Sequence, residues 1–501
     1  MGRVGFVPMN AVPGSGSPVV IILAAGEGTR MKSSRPKVLH SIAGRSLLQH
    51  VVSAAAEIEP AHVMVVVGHG RDEVIAHLDE VAPWVDTVVQ QVQAGTGHAV
   101  RVALEALIDG SHLDTEAPVI VLSGDTPLLT GRTVAQLLST HQAAAATATL
   151  LSARLADPSG YGRVVRDASG EIIAITEHKD ANPATLAIDE INAGMYVFAG
   201  RPLMRALANI TTANAQGEEY LTDVLALLSA EDERLVAWLV PDASEILGVN
   251  DRVQLAGAAG LMQQRINDQW MRAGVAILDP GSVWIDVDVD LAADVVLMPQ
   301  THLVGPTTIA TGARIGPGTT LKSCEVGVGA SVVHTMGELA VIGDEATVGP
   351  FTYLRPGTRL GIGAKAGAFV EMKNAELGTG SKVPHLSYVG DAVIGIGTNI
   401  GAATVFVNYD GANKHHTIVG DQVRIGSDTM LIAPISVGDG AYTAAGSVIT
   451  EDVPAGAMAV GRARQRNISG WVQRRRAGTA SAAAAQLATP ASAPASKEES
   501  Q

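Results

Sequence analysis

The chain has 501 residues, too many for one hydrophobic core, and so predicts two or more domains. Its 35 basic and 50 acidic residues leave a formal charge of −15, which argues against nucleic acid as the main partner. Cys324 is the only cysteine, which excludes an intrachain disulfide and a zinc–cysteine cluster. No apolar run is long enough to span a membrane, and no signal-peptide core opens the chain, so a cytoplasmic protein without membrane insertion is expected. Aromatic residues make up 3% against 54 glycines, a balance that suits a narrow core of aliphatic side chains.

Residues 1–17 predict a flexible leader. The apolar run Val19 to Leu23 then predicts a short buried strand. It feeds the string Leu23-Ala24-Ala25-Gly26-Glu27-Gly28-Thr29-Arg30, where small residues and glycines let the backbone approach a ligand closely. Arg30, Lys32, Arg35 and Lys37 follow at once. A strand that runs into a glycine-rich loop with converging cations predicts a phosphate cradle. The string is not a P-loop, because no Lys-Ser/Thr follows a second glycine at the required distance. It is not the dinucleotide fingerprint either, because Met31 stands where the third glycine belongs.

Strand-like and helix-like segments alternate from 18 to 249. Strands are predicted at Val63–Val67, Thr87–Val89, Val119–Leu122 and Met195–Phe198. Helices are predicted at Leu47–Glu57, Val100–Ile108 and Tyr220–Leu228. This order implies a mostly parallel sheet under helices, with ligands at the carboxyl ends of the strands. Residues 250–275 predict a linker helix, weakened at Gly257 and Gly260.

Residues 276–472 have a different texture. Aliphatic residues recur every six positions, as in Ile309, Ile315, Leu321 and in Val419, Ile425, Leu431, Val437. That period predicts a parallel β-helix of hexapeptide repeats. The register slips by one around Val326, Leu377 and Ile394, which predicts irregular corners there. The insertion Asn408-Tyr409-Asp410-Gly411-Ala412-Asn413-Lys414 also breaks the register, and a loop leaving a rigid solenoid is a natural place for a site. The Ala/Ser/Pro-rich stretch 473–501 predicts a disordered tail.

The glycine-rich string resembles the nucleotide signature of sugar-1-phosphate nucleotidylyltransferases. Taken with the hexapeptide half, residues 18–472 resemble the bifunctional bacterial N-acetylglucosamine-1-phosphate uridylyltransferase / glucosamine-1-phosphate N-acetyltransferase family. The resemblance implies an α/β nucleotidylyltransferase domain with a Rossmann-like sheet, a linker helix and a left-handed β-helix. It also implies acetyl-CoA and UTP as co-substrates, and glucosamine 1-phosphate and N-acetylglucosamine 1-phosphate as sugar substrates. Mg²⁺ as cofactor and a homotrimer with acetyl sites shared between neighbouring β-helices are further implications, as is a role in supplying cell-wall precursors.

Roles carry over by motif. Leu23, Ala24, Ala25, Gly26, Arg30 and Lys37 match the cradle, and Gln90, Gly95 and Thr96 match the uracil-reading segment. Gly162, Glu177 and Asn192 match the sugar side. Asp125, in Ser123-Gly124-Asp125, and Asn250 match the two metal ligands, and Mg²⁺ chemistry calls for such hard oxygens. Asp251 stands where the family often has Asn. In the second half Arg355, Lys373, Tyr388 and Asn399 match contacts to glucosamine phosphate, and His385 matches the base. Ala402, Asn408, Tyr409, Ser427, Ala445 and Arg462 match acetyl-CoA contacts. Cys324 matches no acyl-carrying motif, so direct attack by the amine is expected. His415 and His416 lack a third ligand in the sequence and suit a solvated loop.

Two other readings stay open at this point. In one, only nucleotidyl transfer operates and the β-helix serves oligomerisation or regulation. In the other, the chain is a binding scaffold without chemistry.

Overall fold

The computed structural model describes residues 16–488. The expected leader up to residue 15 and the tail beyond 488 lie outside the described residues.

Residues 18–249 build a nine-stranded sheet. Its main path runs Leu235–Leu239, Ala148–Arg154, Glu190–Ala199, Pro118–Ser123, Val19–Ala24, His62–Val67, Asp86–Val89. The four strands from Pro118–Ser123 to Asp86–Val89 pair in parallel. The inner three, Pro118–Ser123, Val19–Ala24 and His62–Val67, read as near-continuous apolar runs because both faces are covered. Val20, Ile22, Val63 and Val65 enter one core, and Val19, Ile21, Met64 and Val66 enter the other. Helices Leu47–Ala56 and Gly131–Ala144 pack with the first core, and Thr96–Asp109 with the second. Glu190–Ala199 departs from the parallel pattern: it runs antiparallel to both its neighbours, Pro118–Ser123 and Ala148–Arg154.

Chain order reverses at Val19–Ala24. The next strands in sequence stack to one side of it, and Pro118–Ser123 crosses to the other. The crevice of such a sheet opens between the carboxyl ends of these two strands. The amide of Gly124 donates to the Leu23 carbonyl across it at 2.9 Å.

The linker helix runs Arg252–Arg272. Asp251 caps it, accepting from the amides of Val253 and Gln254. Gly257 and Gly260 face open space. The helix binds both halves: Arg265 donates to the Leu128 carbonyl at 2.8 Å, and Asn267 donates to the Pro280 and Val283 carbonyls at 2.9 and 3.1 Å. A second seam joins the hairpin at Ala43 to the first coil, where Arg45 meets Asp288 at 2.6 Å. One apolar cluster therefore extends from Ile42, Leu47 and Leu128 through the helix to Val453.

From Ala276 onward, two- to seven-residue strands pair in parallel with the equivalent strand of the next coil. Ile309, Val326, Ile342, Leu360, Leu377, Ile394, Val419 and Val437 form one unbroken buried column. The column corrects one expectation. Val326, Leu377 and Ile394 are not corner residues but core residues within strands. The missing residue falls in the turn before each, where Ser323, Asn374 and Asp391 adopt left-handed φ of 51°, 45° and 50°. Buried hydroxyls close other corners: Thr307 donates to the Val304 carbonyl at 2.9 Å and Thr358 to the Arg355 carbonyl at 2.7 Å. Phe406 is the one aromatic in this interior, in keeping with the low aromatic content.

The tail expectation also needs correction. Trp471–Arg475 is helical, and Ala480–Ala488 forms a further helix in which Ala482 is buried. Alanine has little apolar bulk but the highest helix propensity, and bulk alone misses that preference. Among the described residues, no helix is long and apolar enough to cross a membrane.

Candidate active sites

The crevice holds a cavity of ≈ 340 Å³. Leu23, Ala24, Ala25, Gly26, Lys37, Gln90, Gly95, Thr96 and Asp125, all named from the sequence as candidates, line it. Ser123, Gln93 and Glu218 line it as well, and sequence reasoning did not single them out as site residues. Gln93 donates to the Ala25 carbonyl at 2.8 Å and so fixes the cradle loop. Arg30 does not line the cavity; it is exposed on the short turn Thr29–Met31.

Gly95 has φ 113°, and a side chain there would run into the Glu219 backbone. That close approach lets the Gly97 amide donate to the Glu219 carbonyl at 2.8 Å and starts the helix Thr96–Asp109. Gln90 is buried and spends its amide nitrogen on the Gly95 carbonyl and His98, at 3.0 and 2.9 Å. Its carbonyl oxygen is what remains for a ligand.

Lys37 forms an ion pair with Asp125 and donates to Asn250 Oδ1 at 3.2 Å. A carboxylate and an amide oxygen from distant segments thus converge on one cation. They are brought there by the end of Pro118–Ser123 and by the turn before the linker helix, where the Val249 amide donates to the Asp125 carbonyl at 2.9 Å.

Gly162, Glu177 and Asn192 form an adjoining group beyond the cavity walls. The Asn192 amide donates to the Gly162 carbonyl at 2.9 Å, and the Asn192 side chain donates to Tyr196 at 2.7 Å. Burial raises the Glu177 carboxyl above its ordinary pKa, only partly offset by a hydrogen bond from Thr222. Ser123 Oγ donates to the Gly194 carbonyl at 3.4 Å and connects this group to the crevice.

On the β-helix the expected residues fall along coil edges. Arg355 pairs with Glu371 at 2.8 Å, which raises its pKa. Lys373 lies against Lys414, and that contact depresses the Lys373 ammonium below its usual value. Two ammonium groups in contact repel, and a bound anion would relieve them. Lys414 sits in the inserted loop, quoted in the sequence but not assigned to the site. Tyr388 is paired with Glu371, and Gly390 with Lys373. Asn408 donates to Asp391 at 2.5 Å and reaches the Tyr388 hydroxyl at 3.5 Å. Tyr409 is exposed on the loop.

His385 lies at the end of Lys382–His385, around a corner from Tyr388. Asn399 pairs with Lys382 and Arg424 on that other face, away from Lys373 and Tyr388. Ala402, Ser427 and Ala445 climb one edge in successive coils, where the Asp428 amide donates to the Ala402 carbonyl and the Gly446 amide to that of Ser427. Arg462 continues that line beside Gly446. One chain therefore gathers Arg355, Lys373 and Tyr388 on one face and His385 and Asn399 on another.

His415 pairs with Asp410 at 2.7 Å and braces the inserted loop. Among the described residues, His62, Asp86 and His112 form the one cluster whose ligand atoms lie within 4.8 Å of one another. His62 and Asp86 open the strands His62–Val67 and Asp86–Val89, and His112 lies in the loop between the helix Thr96–Asp109 and the strand Pro118–Ser123, so the cluster stands at the amino ends of the strands, opposite the crevice.

Residues 20–232 match the model of the MobA-like NTP transferase domain. "Bifunctional protein GlmU" of Streptomyces avermitilis is 55% identical over 474 residues, 94% of this chain and 97% of the relative. The protein of the same name from Thermobifida fusca is 56% identical over 469 residues, covering 94% and 97%. That from Mycolicibacterium vanbaalenii is 53% identical over 467 residues, covering 92% and 94%. With identity at this level running through crevice, linker helix and β-helix alike, the chain belongs to the family of bifunctional GlmU proteins.

Proposed function

We propose that the chain is an enzyme with two sites. On the β-helix it transfers the acetyl group of acetyl-CoA to the amine of glucosamine 1-phosphate. In the crevice it transfers UMP from UTP to N-acetylglucosamine 1-phosphate and releases pyrophosphate. The observation that carries the second step is the convergence of Asp125 and Asn250 on the Lys37 ammonium, at the mouth of a glycine-lined cradle.

In the crevice, a phosphate oxygen of the sugar attacks the α-phosphorus of UTP, and the bond to the bridging oxygen of pyrophosphate breaks. The attacking phosphate has a second pKa of about 6, so no side-chain base is required. Asp125 and Asn250 supply the hard oxygens that suit Mg²⁺, which when bound neutralises charge on the phosphates. Asp125 and Asn250 would hold the ion, and Lys37, which lies between them, would be free to hold a phosphate oxygen. Gln90 and Thr96 face the base, and Gly162, Glu177 and Asn192 the sugar.

On the β-helix, the amine nitrogen attacks the thioester carbonyl carbon. The C–S bond breaks, coenzyme A leaves as thiolate, and His385 takes the proton that the amine loses. Arg355, Lys373 and Lys414 hold the sugar phosphate. Ala402, Ser427, Ala445 and Arg462 form the rail for coenzyme A. His385 and Asn399 lie on a different face from Lys373 and Tyr388, which supports sites completed between neighbouring β-helices of a homotrimer. We place the enzyme in the cytoplasm, where its activated substrates are made.

The test offers the protein glucosamine 1-phosphate, acetyl-CoA, UTP and Mg²⁺ and identifies every product by mass. Free coenzyme A, pyrophosphate and UDP-N-acetylglucosamine are expected. Pyrophosphate from added N-acetylglucosamine 1-phosphate without any coenzyme A release would reduce the β-helix to a scaffold.

A further inference from the structure

Asn374, Asp391 and Asn408 occupy one corner of three successive coils, each 17 residues from the next. At the first two the chain turns in left-handed φ. At the third it runs out into the inserted loop. Asp391 is 5% exposed and Asn408 8% exposed, so the carboxylate is a buried charge between two amides. One of its oxygens accepts from Asn374 at 2.8 Å, the other from Asn408 at 2.5 Å. Burial works to raise its pKa. The two amide donors, with the Lys373 ammonium nearby, outweigh burial and hold the carboxyl below its ordinary pKa, so the group stays ionised.

An ionised carboxylate only accepts hydrogen bonds, so each amide must turn its NH₂ toward it. The Asn408 nitrogen also reaches the Tyr388 hydroxyl, and its two protons are then spent. What Asn408 has left for a ligand is its carbonyl oxygen. Gly390 keeps this arrangement open: a side chain there would strike both the Tyr388 hydroxyl and the Asn408 nitrogen.

We propose that Asp391 is a positioning residue of the acetyl-transfer site, locking the Asn408 amide so that its carbonyl oxygen, and not its NH₂, faces the reacting atoms. Asn408 then accepts from the N–H of the attacking amine and orients the nitrogen lone pair toward the thioester. It does not serve as an oxyanion donor. The inference rests on the reading above that places Asn408 in that site.

The ladder can be reversed. Asp391→Asn puts a single acceptor between two donors, so one neighbouring amide must flip. Adding Asn374→Asp returns a carboxylate to the far end of the ladder. The residue at 391 then donates to it and accepts from Asn408, which restores the outward carbonyl.

Coenzyme A release is measured for wild type, Asp391→Asn, the double variant and Asn408→Ala, with pyrophosphate release and Tm on each preparation. Asp391→Asn is expected to lower kcat by about 10²-fold, the scale of one misplaced hydrogen-bonding group, with KM for glucosamine 1-phosphate near normal. The double variant is expected to recover most of kcat. Pyrophosphate release stays unchanged throughout. Wild-type kcat in Asp391→Asn, beside a damaged Asn408→Ala, would overturn the positioning role alone. A double variant with wild-type Tm but no recovery would do the same, because loss of charge and not amide orientation would then be the cause. Wild-type kinetics in Asn408→Ala would instead overturn the site reading beneath it.

Discussion

The crevice and the β-helix edge assemble polar groups in opposite ways. In the crevice, segments as far apart as Lys37, Asp125 and Asn250 converge on one point, and the cavity is walled by loops from several strand ends. On the β-helix, neighbours in the site are one coil apart in sequence, as in Asn374, Asp391 and Asn408. The first site is a point enclosed within one chain. The second is a rail on an open surface, with its residues on two faces. Convergence gives enclosure within a single chain, whereas a repeating scaffold gives regular spacing and leaves its polar groups on an open surface.

Breaking one site and not the other tests this contrast most directly. His385→Ala should lower coenzyme A release by about 10²–10⁴-fold, or roughly 3–5 kcal/mol of barrier, while pyrophosphate release continues. The assembly should persist, because aliphatic columns and not His385 hold the coils. Near-normal coenzyme A release would remove His385 from the mechanism, and loss of both activities in an intact assembly would show that the sites depend on one another. Asp125→Ala should do the reverse, lowering uridylyl transfer by about 10²–10³-fold, the scale of a lost electrostatic group at a reacting centre. Unchanged Mg²⁺ dependence in that variant would exclude Asp125 as a ligand.

A smaller effect sharpens the comparison at the join. Asp251→Ala removes the cap of the linker helix, next to Asn250. It should cost about 1 kcal/mol of stability, read as a lower Tm. It should also raise the Mg²⁺ concentration needed for half-maximal pyrophosphate release, with acetyl transfer untouched. Equal losses in both activities would mean that the cap serves the whole body and not the crevice. Truncation after residue 478 should have the least effect. It deletes the helix Ala480–Ala488, which contributes nothing to either candidate site, and both rates should match wild type. Loss of coenzyme A release would place that helix on the rail.

The two regions were also unequally legible. The apolar runs at Val19, Val63 and Val119 announced buried parallel strands because both faces are covered, and the period of six announced the coils. The strand Glu190–Ala199 was marked only at Met195–Phe198, and its antiparallel direction left no mark, since direction is set by topology and not by side-chain pattern. The register slips were visible, but their meaning was not: a one-residue deficit is taken up in a left-handed turn, which Ser323, Asn374 and Asp391 adopt without a glycine to flag them. In the crevice, Lys37, Asp125 and Asn250 were legible by motif. Gln93 and Glu218 were not, because they reach the cavity only through the way their loops fold back. Arg30 was legible as a cation beside the cradle, but its place on an exposed turn and not on the cavity wall was not.

Each coil of the β-helix is a closed lap, and pairing resumes after the inserted loop as if nothing had intervened. Ala392 meets Thr417 across the insertion, just as Ala375 meets Ala392 without one. A change of length at one corner is therefore cancelled before the next side begins, and no shift in phase passes up the stack. In a sheet of long strands an insertion of a single residue would turn every later side chain to the wrong face. The loop from Asn408 to Lys414 thus hangs from the scaffold as a replaceable port. Its length and chemistry can drift under selection for a new acceptor or donor while the coils above and below keep their alignment, and with them the spacing of Ala402, Ser427 and Ala445 along their edge.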